Sequence, residues 1–313
     1  MAAAGPTRLT LQEFDELFQS IKNWGRWGPE DQRGALNFIT VEKQLAAAAL
    51  IRSGERVSCA LPLATTTAVD NPNPVTHLMV RAGDLHQPET TAGGTADYFA
   101  VAFHGYATTH IDALCHIYYR GQLYNGYPAS VVTSNGARAL SIDVAESGIV
   151  SRGVLLDVPR LRSVEWLEPG TPITVADLEE CEKRQGTRVE TGDILLVRTG
   201  RHVRRTAQGA WPLTEAMAGL HVETLPWLHA REIAVLGSDA ASDMAPVPVD
   251  SLGSLPIHVG VIAGMGVHIL DNCQLDTLAA ACTRANRWEF HLTVAPLILH
   301  QGTGSPVNPI ALF

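Results

Sequence analysis

Residues 104–126, HGYATTHIDALCHIYYRGQLYNG, hold three of the twelve histidines and an aspartate within thirteen positions. His110 and Asp112 are two apart, so on an extended strand both side chains leave the same face, and His116 shares that parity. Two such groups can meet one divalent ion while the third reaches a substrate beside it. His104 has the same parity, but Gly105 and the Thr108–Thr109 pair can bend the chain between, so parity alone does not place it. The competing reading is a strand with satisfied core histidines. A His-x-Asp with two further histidines in a mostly apolar setting points instead to metal or acid–base chemistry. Cys115, beside His116, points away from it on an alternating strand, which argues against a thiol nucleophile.

The elements that must position these residues alternate between helix and strand, the pattern of an α/β protein. Thr10 and Glu13 form a capping box ahead of Leu11, Phe14, Leu17, Phe18 and Ile21, which predicts a helix over 11–22. Its apolar stripe is expected to pack on the body or on a partner subunit. Residues 23–40, NWGRWGPEDQRGALNFIT, read as a structured loop, either a packed cap or an aromatic wall that brings Trp27 to a pocket. A helix over 41–52 stops at Gly54. Strands are expected at 56–63, 140–144, 153–158, 193–199, 233–237, 267–270 and 287–298. Helices are expected from the Thr174 cap to Gln185, at 222–229 and at 275–282. Residues 64–97 form a long polar excursion, and 98–103 an apolar run into the central stretch. Asp239 and Asp243 are read as loop-holding acids. The tail, GTGSPVNPIALF, is turn chemistry expected to lie over the surface. The division expected is a helical and loop extension (1–55) packed on a catalytic domain (56–313).

A net charge of -9 with no basic block excludes a general nucleic-acid binder, and the lack of a GxGxxG or Walker loop gives no sign of a nucleotide cofactor. Five scattered cysteines without a CxxC pair fit free thiols in a reducing compartment. With no basic-then-apolar leader at the N-terminus and no apolar stretch of membrane-spanning length, the expectation is a cytoplasmic protein that spans no membrane.

A second cluster lies in residues 256–271, PIHVGVIAGMGVHILD. Asp271 closes a short strand and could complete a site begun by Asp112. His258 and His268 are rival partners for it, and alternation puts His268 and Asp271 on opposite faces without deciding between the two histidines.

The central stretch resembles the metal-dependent cyclase/hydrolase family of bacterial kynurenine formamidases and isatin hydrolases, whose motif reads His-x-Gly-Thr-His-x-Asp-x-Pro-x-x-x-His. Thr109, His110, Asp112 and His116 match its latter part. NWGRWGPEDQRGALN, RGVLLDV, GDILLVRTG and HVGVIAGMGVHILDNCQLDTLA resemble further segments, so the likeness covers most of the chain. The resemblance implies a compact fold with a β-barrel-like mixed sheet core surrounded by helices, assembled as a homo-oligomer, a dimer or tetramer. It implies His110 and Asp112 as metal ligands, His116 as the acid–base residue and His258 as the later histidine ligand. Asp271 stands where the family usually has glutamate, and Tyr106 where its first histidine sits, with His104 two residues earlier as the replacement ligand.

Imidazole and carboxylate ligands suit one or two Zn²⁺ or Mn²⁺ ions. The expected activity is hydrolysis of a small cyclic or aryl amide, lactone or lactam by metal-activated water, with His116 moving the proton. Tyr106, Tyr124, Asn125 and Trp27 are the expected substrate contacts, although the YNG run also reads simply as a turn. The alternatives are a metal-dependent cyclase or dehydratase of a polyketide-like intermediate, and a non-catalytic small-molecule binder on the same fold.

Overall fold

The computed structural model describes residues 7–85, 89 and 91–313. Residues 1–6 of the expected N-terminal extension, and 86–88 and 90 of the polar excursion, lie outside the described residues.

Among the described residues, nine strands form one curled half-barrel sheet with helices around it. In chain order they are β1 (Arg56–Ser58), β2 (His110–Asp112), β3 (Ile149–Asp157), β4 (Ile194–Arg198), β5 (Val235–Ser238), β6 (His268–Asp271), β7 (Glu289–Val294), β8 (Gly304–Pro306) and β9 (Ile310–Leu312). Across the sheet they run β1-β9-β7-β3-β4-β5-β6-β2-β8. The four central strands, β3 to β6, are parallel, and those on either flank pair antiparallel. Covered on both faces, the parallel strands are continuous apolar runs such as Ile194–Val197. Toward one edge, β2 lies between β6 and β8. Its register sets Asp112 opposite Ile269 and His110 opposite Asp271.

Several segments differ from expectation. The tail is not a surface turn: β9 joins β1 to β7, β8 pairs with β2, and Ser305, Ala311 and Phe313 are buried. These strands are three residues each and bounded by prolines, too short to show a period. Pro306 is accommodated because β8 is an edge strand. Residues 142–145 make a 3₁₀ turn instead of a strand, with Leu140 at a positive φ of 61°. The polar excursion contains a hairpin, Thr76–Arg81 with Ala96–Ala100, that takes up part of the expected apolar run.

The helix Arg201–Gln208 was not foreseen, because its N-terminus carries no local cap. Asp239, at the end of the neighbouring strand β5, supplies one from a distance. Its carboxylate accepts from the backbone N–H groups of Thr199, Gly200 and Arg201. The N-terminal helix, Leu11–Ser20, has the expected capping box, and Phe14 and Phe18 are buried against Tyr119 within this chain.

Candidate metal centre

The cluster grows from the register of β6 on β2. His110 and Asp112 leave the same face of β2, and Asp271, directly opposite His110, joins them. Direct strand pairing brings the backbones close enough for the short aspartate arm to serve. His268, one position off in alternation, is buried elsewhere with both ring nitrogens unpartnered, and burial lowers its pKa to about 4. The later histidine brought to the cluster is His258. It stands on a helical segment, 256–265, that opens into π geometry from Val259 to Met265, an irregularity often found at functional sites. Gly266 ends this segment at φ 69°, where a Cβ would lie 2.4 Å from the Tyr124 ring.

Two sets of donor atoms meet at Asp112. In one, His104, His110 and Asp112 offer atoms within 4.8 Å of one another; in the other, Asp112, His258 and Asp271 do the same. His104 Nδ1 and His110 Nε2 lie 3.0 and 3.4 Å from Asp112 Oδ1, and His258 Nε2 lies 3.6 Å from Asp112 Oδ2 and 3.3 Å from Asp271 Oδ2. Each inward-facing ring is fixed from behind. His110 Nδ1 meets the Thr108 carbonyl at 2.9 Å, His104 Nε2 meets Thr303 Oγ1 at 3.0 Å, and His258 Nδ1 meets Asp243 Oδ2 at 2.6 Å. Asp243, read from sequence as a loop acid, therefore orients His258, and it also accepts from the backbone N–H groups of Ile257 and His258.

The electrostatics call for a cation. Asp112, Asp243 and Asp271 are all buried, and among the described residues none pairs with lysine or arginine. Both Asp112 oxygens, Asp271 Oδ1 and His104 Nδ1 have no hydrogen-bond partner. Buried charges of this kind are paired or bind metal. Burial raises the pKa of Asp243. It opposes ionisation of Asp112 too, but the imidazoles of His104, His110 and His258 outweigh it and hold that carboxyl well below the usual range. Burial likewise opposes protonation of His258, yet Asp271, Asp112 and Asp243 together raise its pKa well above the ordinary value. The donor set and its orphaned atoms thus fit a divalent ion on either side of Asp112.

His116 stacks on His104, with ring centroids 3.9 Å apart and an interplanar angle of 3°, and its Nε2 is 3.9 Å from Asp112 Oδ2. Burial lowers its pKa to about 4, which leaves a neutral imidazole at pH 7. It faces a cleft of about 500 Å³ that is also lined by Tyr118, Arg120, Leu252 and Val259. Tyr106 lies half-buried near the other side of the cluster, where burial raises its pKa and His258 and Asp271 act on it electrostatically.

Trp27, Tyr124 and Asn125 are not brought to the cluster. Trp27 packs edge-on against Phe38. Tyr124 Oη donates to Asp31, and Asn125 Nδ2 donates to the carbonyls of Gly28, Pro29 and Asp31. The 23–40 segment is a packed cap: Trp24 Nε1 and Asn23 Nδ2 donate to Ala263 and Met265 carbonyls at the end of the helix that carries His258.

Removing the Asp243 carboxylate frees the His258 ring. Asp243→Ala should weaken divalent-ion binding by ~10–100-fold, the usual cost of losing such a partner, with Asp243→Asn recovering part of it. Metal titration followed by calorimetry checks this, and affinity equal to that of the parent protein in both variants would rule the orienting role out.

The cyclase family model matches residues 40–243. The fold superposes on the crystal structure of a novel cyclase with a TM-score of 0.83 at 33% identity, covering 93% of this chain and 99% of that one. Isatin hydrolase A from Ralstonia solanacearum shares the fold at 22% identity and a TM-score of 0.58, covering 87% of this chain and 97% of its own. A predicted metal-dependent hydrolase from Bacillus stearothermophilus does so at 16% and 0.53, covering 82% and 97%. No curated protein sequence matches the chain. With about two thirds of its length matched by the family model and nearly all of it by a cyclase structure at 33% identity, the chain is an enzyme that belongs to the cyclase family.

Proposed function

We propose that the protein is a metal-dependent hydrolase that opens a small cyclic amide, lactam or lactone or cleaves an aryl amide. The observation that carries this reading is the group of three buried carboxylates, paired with no lysine or arginine among the described residues and ringed by imidazoles, with a neutral His116 stacked on His104 beside it. His104, His110 and Asp112 would hold one ion, and Asp112, His258 and Asp271 a second, Zn²⁺ or Mn²⁺. When bound, such an ion polarises a carbonyl oxygen and makes water acidic enough to attack near neutral pH.

The chain's own residues do the rest. The cleft beside His116 has the volume of a small-molecule site, with Tyr118, Leu252 and Val259 as apolar walls and Arg120, Ser251 and Ser254 as polar ones. Isatin hydrolases in the same fold class, one of them bound to the product analogue thioisatinate, support a cyclic amide as the substrate type. Water adds to the carbonyl carbon and the ring C–N or C–O bond breaks. His116 Nε2 takes the proton that the water loses and returns it to the departing nitrogen or oxygen, so the imidazole ends neutral as it began. Stacking on His104 holds its plane during both transfers. Tyr106, which feels His258 and Asp271 electrostatically, would serve as a substrate contact on that side.

The reading predicts turnover of an isatin-type lactam or a related lactone by metal-loaded protein. Asp112→Asn should lose the metal, and His116→Ala should keep the metal but lose ~10²–10⁴-fold in kcat. Full turnover after chelation, or a His116→Ala variant as fast as the parent, contradicts it.

The same reading includes a homodimer. The hairpin Thr76–Arg81/Ala96–Ala100 exposes Leu78, Met79, Val80, Tyr98 and Phe99, each more than half accessible. A two-stranded ribbon with uncovered apolar side chains is marginal alone and is stabilised by packing on another body, here a second copy. Light scattering should give a dimer mass, and Leu78→Glu with Phe99→Glu should give a monomer. A monomeric parent protein would remove this part. Among the described residues no helix is long and apolar enough to cross a membrane. The five cysteines are free and buried, which supports a cytoplasmic setting.

A further inference from the structure

Asn272 follows Asp271 directly, is fully buried and has a left-handed φ of 55°. Its Nδ2 donates to the carbonyls of Gly105 at 2.7 Å and Thr108 at 3.1 Å, and its Oδ1 accepts from Arg201 Nη1 at 2.7 Å. Its backbone is held as well: its N–H donates to the Ala240 carbonyl, and its own carbonyl accepts from Thr109 Oγ1. Arg201, itself buried, donates from Nη2 to the Tyr106 carbonyl and to Asp70 Oδ2.

Three carbonyls of the loop that carries His104 and Tyr106 therefore end on one Asn–Arg pair. The chemistry of the neighbours fixes the amide's orientation. Guanidinium can only donate and a carbonyl can only accept, so the side chain must present oxygen to Arg201 and nitrogen to the loop. Aspartate has the shape but not the donors, and leucine has neither donor nor acceptor. The Thr108 carbonyl held by Asn272 also receives His110 Nδ1, so the same amide governs both imidazoles of the first donor set.

We infer that Asn272, buttressed by Arg201, is a positioning residue that sets His104 and His110 for the first half of the centre while its neighbour Asp271 serves the second. The consequence for metal binding rests on the proposed function; the consequence for the loop does not.

The test uses Asn272→Asp, which keeps the size, and Asn272→Gly, which keeps the left-handed backbone. Hydrogen exchange of residues 103–109 is read in the metal-free protein, and Mn²⁺ is titrated separately. Loss of the loop hydrogen bonds should speed exchange there by about tenfold, with the β3–β4 core unchanged. The first Mn²⁺ equivalent should weaken by ~10–100-fold relative to the second. Arg201→Lys, which leaves the 271–272 backbone untouched, should reproduce a smaller version of both effects and stands in if an Asn272 variant fails to fold. Faster loop exchange in protein that binds no Mn²⁺ even as the parent would sink the metal reading and leave the loop role supported. Folded variants with parental exchange and parental Mn²⁺ binding would overturn the inference.

Discussion

Three carboxylates that leave water and, among the described residues, pair with no lysine or arginine are the constraint on which this structure turns. Burying an ionised carboxylate costs several kcal/mol unless positive charge accompanies it. Among the described residues the positive charge paired with the three carboxylates is a proton on an imidazole, and the raised His258 and depressed Asp112 pKa values are two sides of that demand. A centre of this kind needs its walls held in place, and distant parts of the chain hold them.

The recruitment is visible element by element. The N-terminal cap seals the end of the helix bearing His258 through Trp24 and Asn23. The N-terminal helix anchors the segment after His116, with Asp15 accepting from both Tyr119 and Arg120 and with Phe14 and Phe18 packed on the Tyr119 ring. The tail returns through β8 to cover β2, and Thr303 fixes the outer nitrogen of His104. His104 reaches the cluster by a loop and not by a strand, and so depends on side-chain hydrogen bonds for its position. The parallel strands β3 to β5 supply rigidity and none of the clustered side chains, and β6 contributes Asp271 at its very end, which leaves the chemistry to the short strand β2, a strand end and connections.

Much of this was legible from residue spacing. The parity of His110 and Asp112 put both on one face, and the capping box at Thr10 and the cap at Thr174 marked their helices because the partners are local. Where the sequence fell short, the decisive partner was remote. Asp243 read as a loop acid because its tie to His258 spans fifteen positions. The helix from Arg201 lacked a cap until Asp239 arrived from another strand. Each of the tail's strands has a neighbour more than 180 residues away, β1 for β9 and β2 for β8. Trp27, Tyr124 and Asn125 are residue types suited to a pocket, and only packing reveals that their contacts are already spent on the cap. The choice of His258 over His268 came from a family likeness, since alternation alone left it open; the fold brings in His258 through a π-opened helix that no periodicity announces.

The most direct measurement is anomalous diffraction at the manganese edge from crystals of Mn²⁺-loaded protein. The account predicts density beside Asp112, with His104 and His110 on one side or His258 and Asp271 on the other within coordination distance. Manganese peaks only at surface carboxylates, with the Asp112 cluster filled by protons or water, would contradict it.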